Sequence, residues 1–123
     1  MRGLSSTVTR LPLVYSPRYS VPWPSSHRFP MRKFRDLHEI VRRMPFASSA
    51  AWHEPSMPRR EWIEAVHAPE YVRAFLTGSL GHEQERRIGF KELMRRHDVI
   101  ERTQLECAGT ATHPLPPPLY PLT

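Results

Sequence analysis

A chain of 123 residues with 39% hydrophobic side chains suits one small domain and is too short for two. Fourteen prolines disfavour long uninterrupted sheets, since each removes a backbone donor and fixes φ, and a lone cysteine, Cys107, excludes an internal disulfide framework or a site of several thiolates. The +6 charge is uneven, with seven basic groups and no acid in residues 1–35 and a net −1 in residues 36–123; this spaced pattern lacks the dense basic stripe of a direct nucleic-acid binder, and no run reaches the ~18 apolar residues of a membrane helix, so neither partner is expected.

Residues 1–10 are polar and patternless and are expected to be disordered. Leu11-Pro12-Leu13-Val14-Tyr15 is a short apolar run closed by Ser16-Pro17, which predicts one buried strand and a turn. Between Ser20 and Pro30, Pro22, Pro24 and Pro30 enclose Trp23, His27 and Phe29, predicting an ordered loop with aromatic anchors. Loops of this kind line sites. Met31, Phe34, Leu37, Val41 and Met44 recur at steps of three and four, the stripe of an amphipathic helix that Pro45 ends.

Residues 46–58 read as a Ser/Ala/Pro connection. A short helix over residues 61–66 is predicted to turn Trp62, Ile63 and Val66 inward, and a second starts at Pro69 and stops at Gly78. Residues 81–87 are charged and read as solvated, while Phe90, Leu93, Met94, His97 and Ile100 again recur helically in a segment running toward Thr112. From His113 onward five prolines in eleven residues impose an extended or polyproline II tail.

Several apparent motifs dissolve on inspection. Asp36 and His38 have a metal-ligand spacing, but two residues apart on a helix they diverge by roughly 200°, so they read as solvated. His38-Glu39 and His82-Glu83 each open an H-E-x-x-H pattern in which Arg42 and Arg86 replace the second histidine. Cys107 lacks a setting that would activate it and reads as a small buried residue. The phosphate-loop, dinucleotide and nucleophile-elbow signatures are absent. Pro117-Pro118-Leu119-Tyr120 matches the P-P-x-Y pattern of WW-domain ligands, with Pro117, Pro118 and Tyr120 as the contact candidates.

Three strings are more specific than any of these: Leu11-Pro12-Leu13-Val14-Tyr15-Ser16-Pro17-Arg18-Tyr19, His27-Arg28-Phe29-Pro30-Met31-Arg32-Lys33-Phe34, and Val66-His67-Ala68-Pro69-Glu70-Tyr71-Val72. With Arg86-Arg87-Ile88-Gly89-Phe90 and the segment from Arg102-Thr103 to Gly109-Thr110, the region 11–112 resembles the N-terminal part of the histone deacetylase-like amidohydrolases, especially the class IV branch and its bacterial relatives.

The resemblance implies an α/β fold, the N-terminal fragment of an arginase/deacetylase-like three-layer domain, mostly helical with one or two short strands in this chain. It also implies a zinc-dependent hydrolase that removes acyl groups from lysine, with acetyl-lysine proteins or small acylated molecules as substrates. The family's zinc ligands, histidine pair and oxyanion tyrosine come later in its sequences, so neither zinc binding nor catalysis is expected of this chain alone, which reads as a truncated form with a dissimilar tail over residues 113–123. His27, Arg28, Phe29 and Pro30 match the loop that borders the family's substrate channel, and Lys33 falls where many relatives place an arginine. Two structural roles compete with this rim assignment: Phe29 packing on Trp23, and His27 closing the turn. His67 and Tyr71 read as members of a helix start. A second functional reading is an interaction adaptor offering its Pro-rich tail to WW or SH3 domains. An intracellular setting is expected, whether nucleus, cytoplasm or an organelle.

Overall fold

The computed structural model describes residues 10–111. The Pro-rich tail with Pro117, Pro118 and Tyr120, and residues 1–9 of the N-terminus, lie outside the described residues. What is described is mostly helical with two short parallel strands.

Strand β1, Pro12–Val14, comes from the apolar run. Its partner β2, Ala51–His53, lies inside the stretch expected to be a plain connection. They pair in parallel with Leu13 opposite Trp52, and the ladder is extended by Ala51 N–H donating to the Leu11 carbonyl at 2.8 Å and Tyr15 N–H to the His53 carbonyl at 3.0 Å. Parallel neighbours need a crossover, and helix α1, Lys33–Val41, supplies it. The helix is shorter than the 31–44 periodicity predicts: Met31 sits in the turn before it and is buried, whereas Leu37 is 61% exposed and Met44 is exposed after it.

Ser16 caps the 3-10 turn Pro17–Tyr19 by accepting from Arg18 N–H at 3.2 Å. This turn docks on the long helix α5, His97–Ala111. The joint is polar at its heart. The Arg102 guanidinium, 2% exposed, donates from Nε to the Tyr19 carbonyl at 2.7 Å and from Nη2 to Glu106 at 2.6 Å, and it faces the Phe34 ring at 4.8 Å. Tyr19 answers by donating its hydroxyl to the Leu105 carbonyl at 3.3 Å. A buried guanidinium survives here because its donors reach a carbonyl and a carboxylate and its face meets a ring.

Helix α2, Arg60–Glu64, leaves Trp62 exposed and only Ile63 half-buried; Val66, beyond it, is 78% exposed, so the expected inward face of that segment is not formed. Five residues are too few to present a full apolar stripe. Helix α3, Pro69–Leu76, buries Val72 and Phe75 and ends as expected, with Gly78 at φ +67° and packed so closely on the Arg95 backbone that a β-carbon would lie 3.2 Å from its carbonyl oxygen.

Residues 81–87, expected to be solvated, are exposed except for Glu85, which is buried, and they form most of helix α4, His82–Ile88. The Phe90–Ile100 periodicity is broken into a 3-10 turn, Lys91–Arg95, and the start of α5, because Arg96 is extended. Its apolar members still converge: Met94, Val99 and Ile100 join Phe75 and Leu80 in the main core, with Trp23 and Phe90 packed against it. Cys107 is exposed rather than buried, and partial desolvation and the Glu106 charge push its thiol pKa up, away from reactivity.

Candidate functional site

The loop from Ser20 to Pro30 is fixed from within. Phe29 N–H donates to His27 Nδ1 at 3.1 Å, so the imidazole closes the turn and, when neutral, carries its proton on Nε2. Pro30 is exposed and its carbonyl accepts from Lys33 N–H at 2.9 Å, while the Ser20 hydroxyl donates to the Met31 carbonyl at 3.0 Å. These bonds join the loop to the start of α1.

An aromatic cluster holds the loop's other face. Trp23 meets Phe90 at 5.0 Å between ring centroids, His27 at 5.2 Å and Phe29 at 6.2 Å, all edge to face, and Phe29 meets Phe90 at 5.0 Å. That geometry suits the ring quadrupoles. Phe29 also receives two cations: Lys33 Nζ at 4.5 Å from its centroid and Arg102 at 5.7 Å. The competing structural roles for Phe29 and His27 are therefore both present. The Trp23 indole N–H is buried with no acceptor among the described residues.

Of the five rim candidates, His27 and Arg28 reach an open cleft of about 670 Å³ between this loop and the α4 to Lys91–Arg95 segment. The facing wall is made by Arg86, Phe90, Lys91 and Glu92. Phe29 turns inward, and Lys33 is committed to the Phe29 and Phe34 rings. Arg86 and Phe90 belong to a string that carries the family resemblance, yet the sequence gives Phe90 only a place in an apolar helical pattern and neither residue a place in a site; Lys91 and Glu92 offer no signal at all.

A second cleft, about 470 Å³, shares Arg86, Lys91 and Glu92 with the first and continues past His82, Glu85 and Arg95. Here Arg95 grips the Glu85 carboxylate with two bonds, 2.6 and 3.3 Å, and His82 lies 3.4 Å away. The Arg95 hydrogen bond, then its charge and that of His82, hold the Glu85 carboxyl below the usual glutamate range.

Elsewhere, β1, β2 and α1 form an apolar groove of about 190 Å³ lined by Tyr15, Tyr19, Phe34, Leu37, His38 and Trp52, among others. His38, expected to be solvated, stacks on Tyr15 at 3.7 Å and 4° and is half-buried. Asp36 is exposed and pairs with Arg32, so the two residues do diverge. His67 and Tyr71 pack ring to ring at 5.7 Å across the start of α3.

Among the described residues no three His, Cys, Asp or Glu side chains lie together as a metal ion requires. A catalytic zinc takes about three protein ligands, and the described residues do not fit one. Among the described residues, the clefts contain no group of ligands that could hold a metal ion.

No family model matches the chain. An uncharacterized protein of Picosynechococcus sp. is 40% identical over 99 residues, which is 80% of this chain and 32% of that protein. The chain thus spans about a third of the length of this relative.

Proposed function

We propose that residues 11–112 form the N-terminal part of a histone deacetylase-like amidohydrolase domain of the class IV branch, on the arginase-like three-layer architecture, with His27 and Arg28 at the rim of the substrate entrance. The observation that carries this reading is a meeting of two of the strings on which the resemblance rests. His27-Arg28-Phe29-Pro30 and the Arg86 to Phe90 string lie far apart in the chain and face each other across one cleft, with the His27 and Phe90 rings 5.7 Å apart.

The strand arrangement supports it as well. Parallel strands are ordinarily covered on both faces, and the β1–α1–β2 unit leaves Leu37, Ile40 and Trp52 exposed. Such a unit suits the edge of a larger parallel sheet. The family reaction is zinc-dependent hydrolysis of acyl-lysine amides; rim residues steer substrate and break no bond. The purified chain is therefore expected to release no acetate from acetyl-lysine peptides.

A chimera tests the reading. Residues 11–112 replace the corresponding part of an established class IV deacetylase. The expected result is stoichiometric zinc and zinc-dependent deacetylation, with His27→Ala in the chimera raising KM more than it lowers kcat. A folded, zinc-loaded chimera with no turnover would overturn it. The second reading, an adaptor, is supported by Pro117-Pro118-Leu119-Tyr120 alone; binding of a WW domain to the full chain, lost in Tyr120→Ala, is its test.

A further inference from the structure

We propose that the trough along α4 and the Lys91–Arg95 turn is a docking surface for an acidic, extended peptide segment. Two clefts lined in common by Arg86, Lys91 and Glu92 border it, with His27 and Arg28 on one and His82 and Arg95 on the other.

What distinguishes it is that its unmatched cations line one cleft. Arg18, Arg42, Arg60, Arg96 and Arg102 each hold a carboxylate, while Arg35, Arg59, Arg73 and Arg87 pair with none among the described residues. In the trough Arg28, Arg86 and Lys91 hold none among the described residues, and the acids present are Glu92 and Glu85, the latter already matched by Arg95. Three unmatched cations against one free carboxylate make an anion-seeking surface.

Two further features suit a ligand. His27 lines the cleft and spends Nδ1 on the Phe29 amide, so Nε2 is the ring nitrogen left for a ligand. Lys91 holds φ +47°, a left-handed conformation that is costly for a side chain with a β-carbon. Strain of that kind gathers where a side chain must be presented in one direction. The larger cleft, about 670 Å³, has room for more than a single small anion, which favours a peptide segment, and Phe90 gives it an apolar lining for the peptide's own carbon atoms. This inference goes beyond the deacetylase reading and does not depend on it.

Fluorescence anisotropy of the full chain with a labelled peptide of alternating Glu and Gly, about ten residues long and so roughly 33 Å extended, tests the proposal. The expected result is saturable binding that a Lys/Gly peptide does not reproduce. It should weaken steeply as salt rises from about 0.01 to about 0.15 M, where the Debye length falls from ~30 to ~8 Å. Arg86→Glu with Lys91→Glu should weaken binding about tenfold or more, and the milder Arg86→Gln less. Arg73→Glu, exposed on α3 outside the trough, should leave it within about twofold. Equal losses in the Arg73 and trough variants, no effect of the trough variants, or tighter binding of single-stranded RNA than of the peptide would each overturn the assignment. Peptide binding by the trough with an inactive chimera would sink the deacetylase reading alone.

Discussion

The Tyr19 hydroxyl occupies the space that a β-carbon on Gly109 would fill, while Val14 presses on the same point at 3.1 Å. Helix α5 is thus admitted to the 3-10 turn and to β1 by the absence of one side chain. Gly109→Ala would gain about 1 kcal/mol of helix propensity and lose about 1–3 kcal/mol to overpacking. The rigid ring and the hydroxyl's bond to the Leu105 carbonyl put the outcome at the costly end, a net loss of about 1–2 kcal/mol. Urea unfolding measures it, and an unchanged or raised midpoint would refute the close-approach argument.

How far the sequence showed this in advance depended on whether a pattern was local. The existence of helix α1, Pro69 opening α3, Gly78 closing it and a helix running to Ala111 follow from periodicity and capping, which act within a few residues, whereas the burial of the α1 stripe does not. Strand β2 was illegible because three residues, Ala51-Trp52-His53, are too few to alternate and gain their identity from β1. The charges of the α4 segment do mark exposed residues, but they gave no sign that Glu85 would be the buried exception, because its partner Arg95 lies ten residues away. For the cleft, His27 and Arg28 were legible through the loop's resemblance. Arg86, Lys91 and Glu92 entered only through tertiary folding of the opposite wall.

Acid should loosen the α4 corner. The Glu85 carboxyl is held below its ordinary value of 4.5 by the Arg95 hydrogen bond first, then by the Arg95 and His82 charges. A depressed folded pKa stabilises the protein above the unfolded value, and that contribution is lost as pH falls through the folded pKa. Asp98, bonded by Arg96, and Glu101, bonded by Arg18, shift in the same direction. The melting temperature is therefore expected to hold above pH 4.5 and to fall progressively below it. Glu85→Gln should lower it at neutral pH and flatten the acid limb; an unaltered limb in that variant would place the acid sensitivity elsewhere.

Lys91→Gly should separate stability from recognition. The left-handed backbone at φ +47° costs a residue with a β-carbon roughly 1–2 kcal/mol. Glycine returns about 0.5–1 kcal/mol of that as unfolded-chain entropy, so a net stabilisation of up to about 1 kcal/mol is expected. The same variant removes a trough cation and should weaken the acidic peptide. Destabilisation on chemical unfolding would mean that this residue's contacts outweigh its strain.

The β1–α1–β2 side carries the sharpest conflict between sequence pattern and burial. Leu37 at 61% and Ile40 at 56% exposed stand on α1, and Met44, Phe46 and Trp52 are exposed as well. Each uncovered side chain leaves part of about 1.5–3 kcal/mol of burial free energy unrealised, and large apolar side chains exposed in this number promote association. The full chain is therefore expected to sediment as mixed, concentration-dependent species at micromolar and higher loading, where exposed apolar surface becomes aggregation-prone. Leu37→Lys with Ile40→Lys should shift the distribution toward monomer. Because both positions are already wet, the pair should change unfolding free energy by no more than about 0.5 kcal/mol per site. Sedimentation velocity read beside urea unfolding distinguishes the alternatives: a cleanly monomeric wild type would show this face to be covered in solution, and a large stability loss in the double variant would show that these side chains are buried after all.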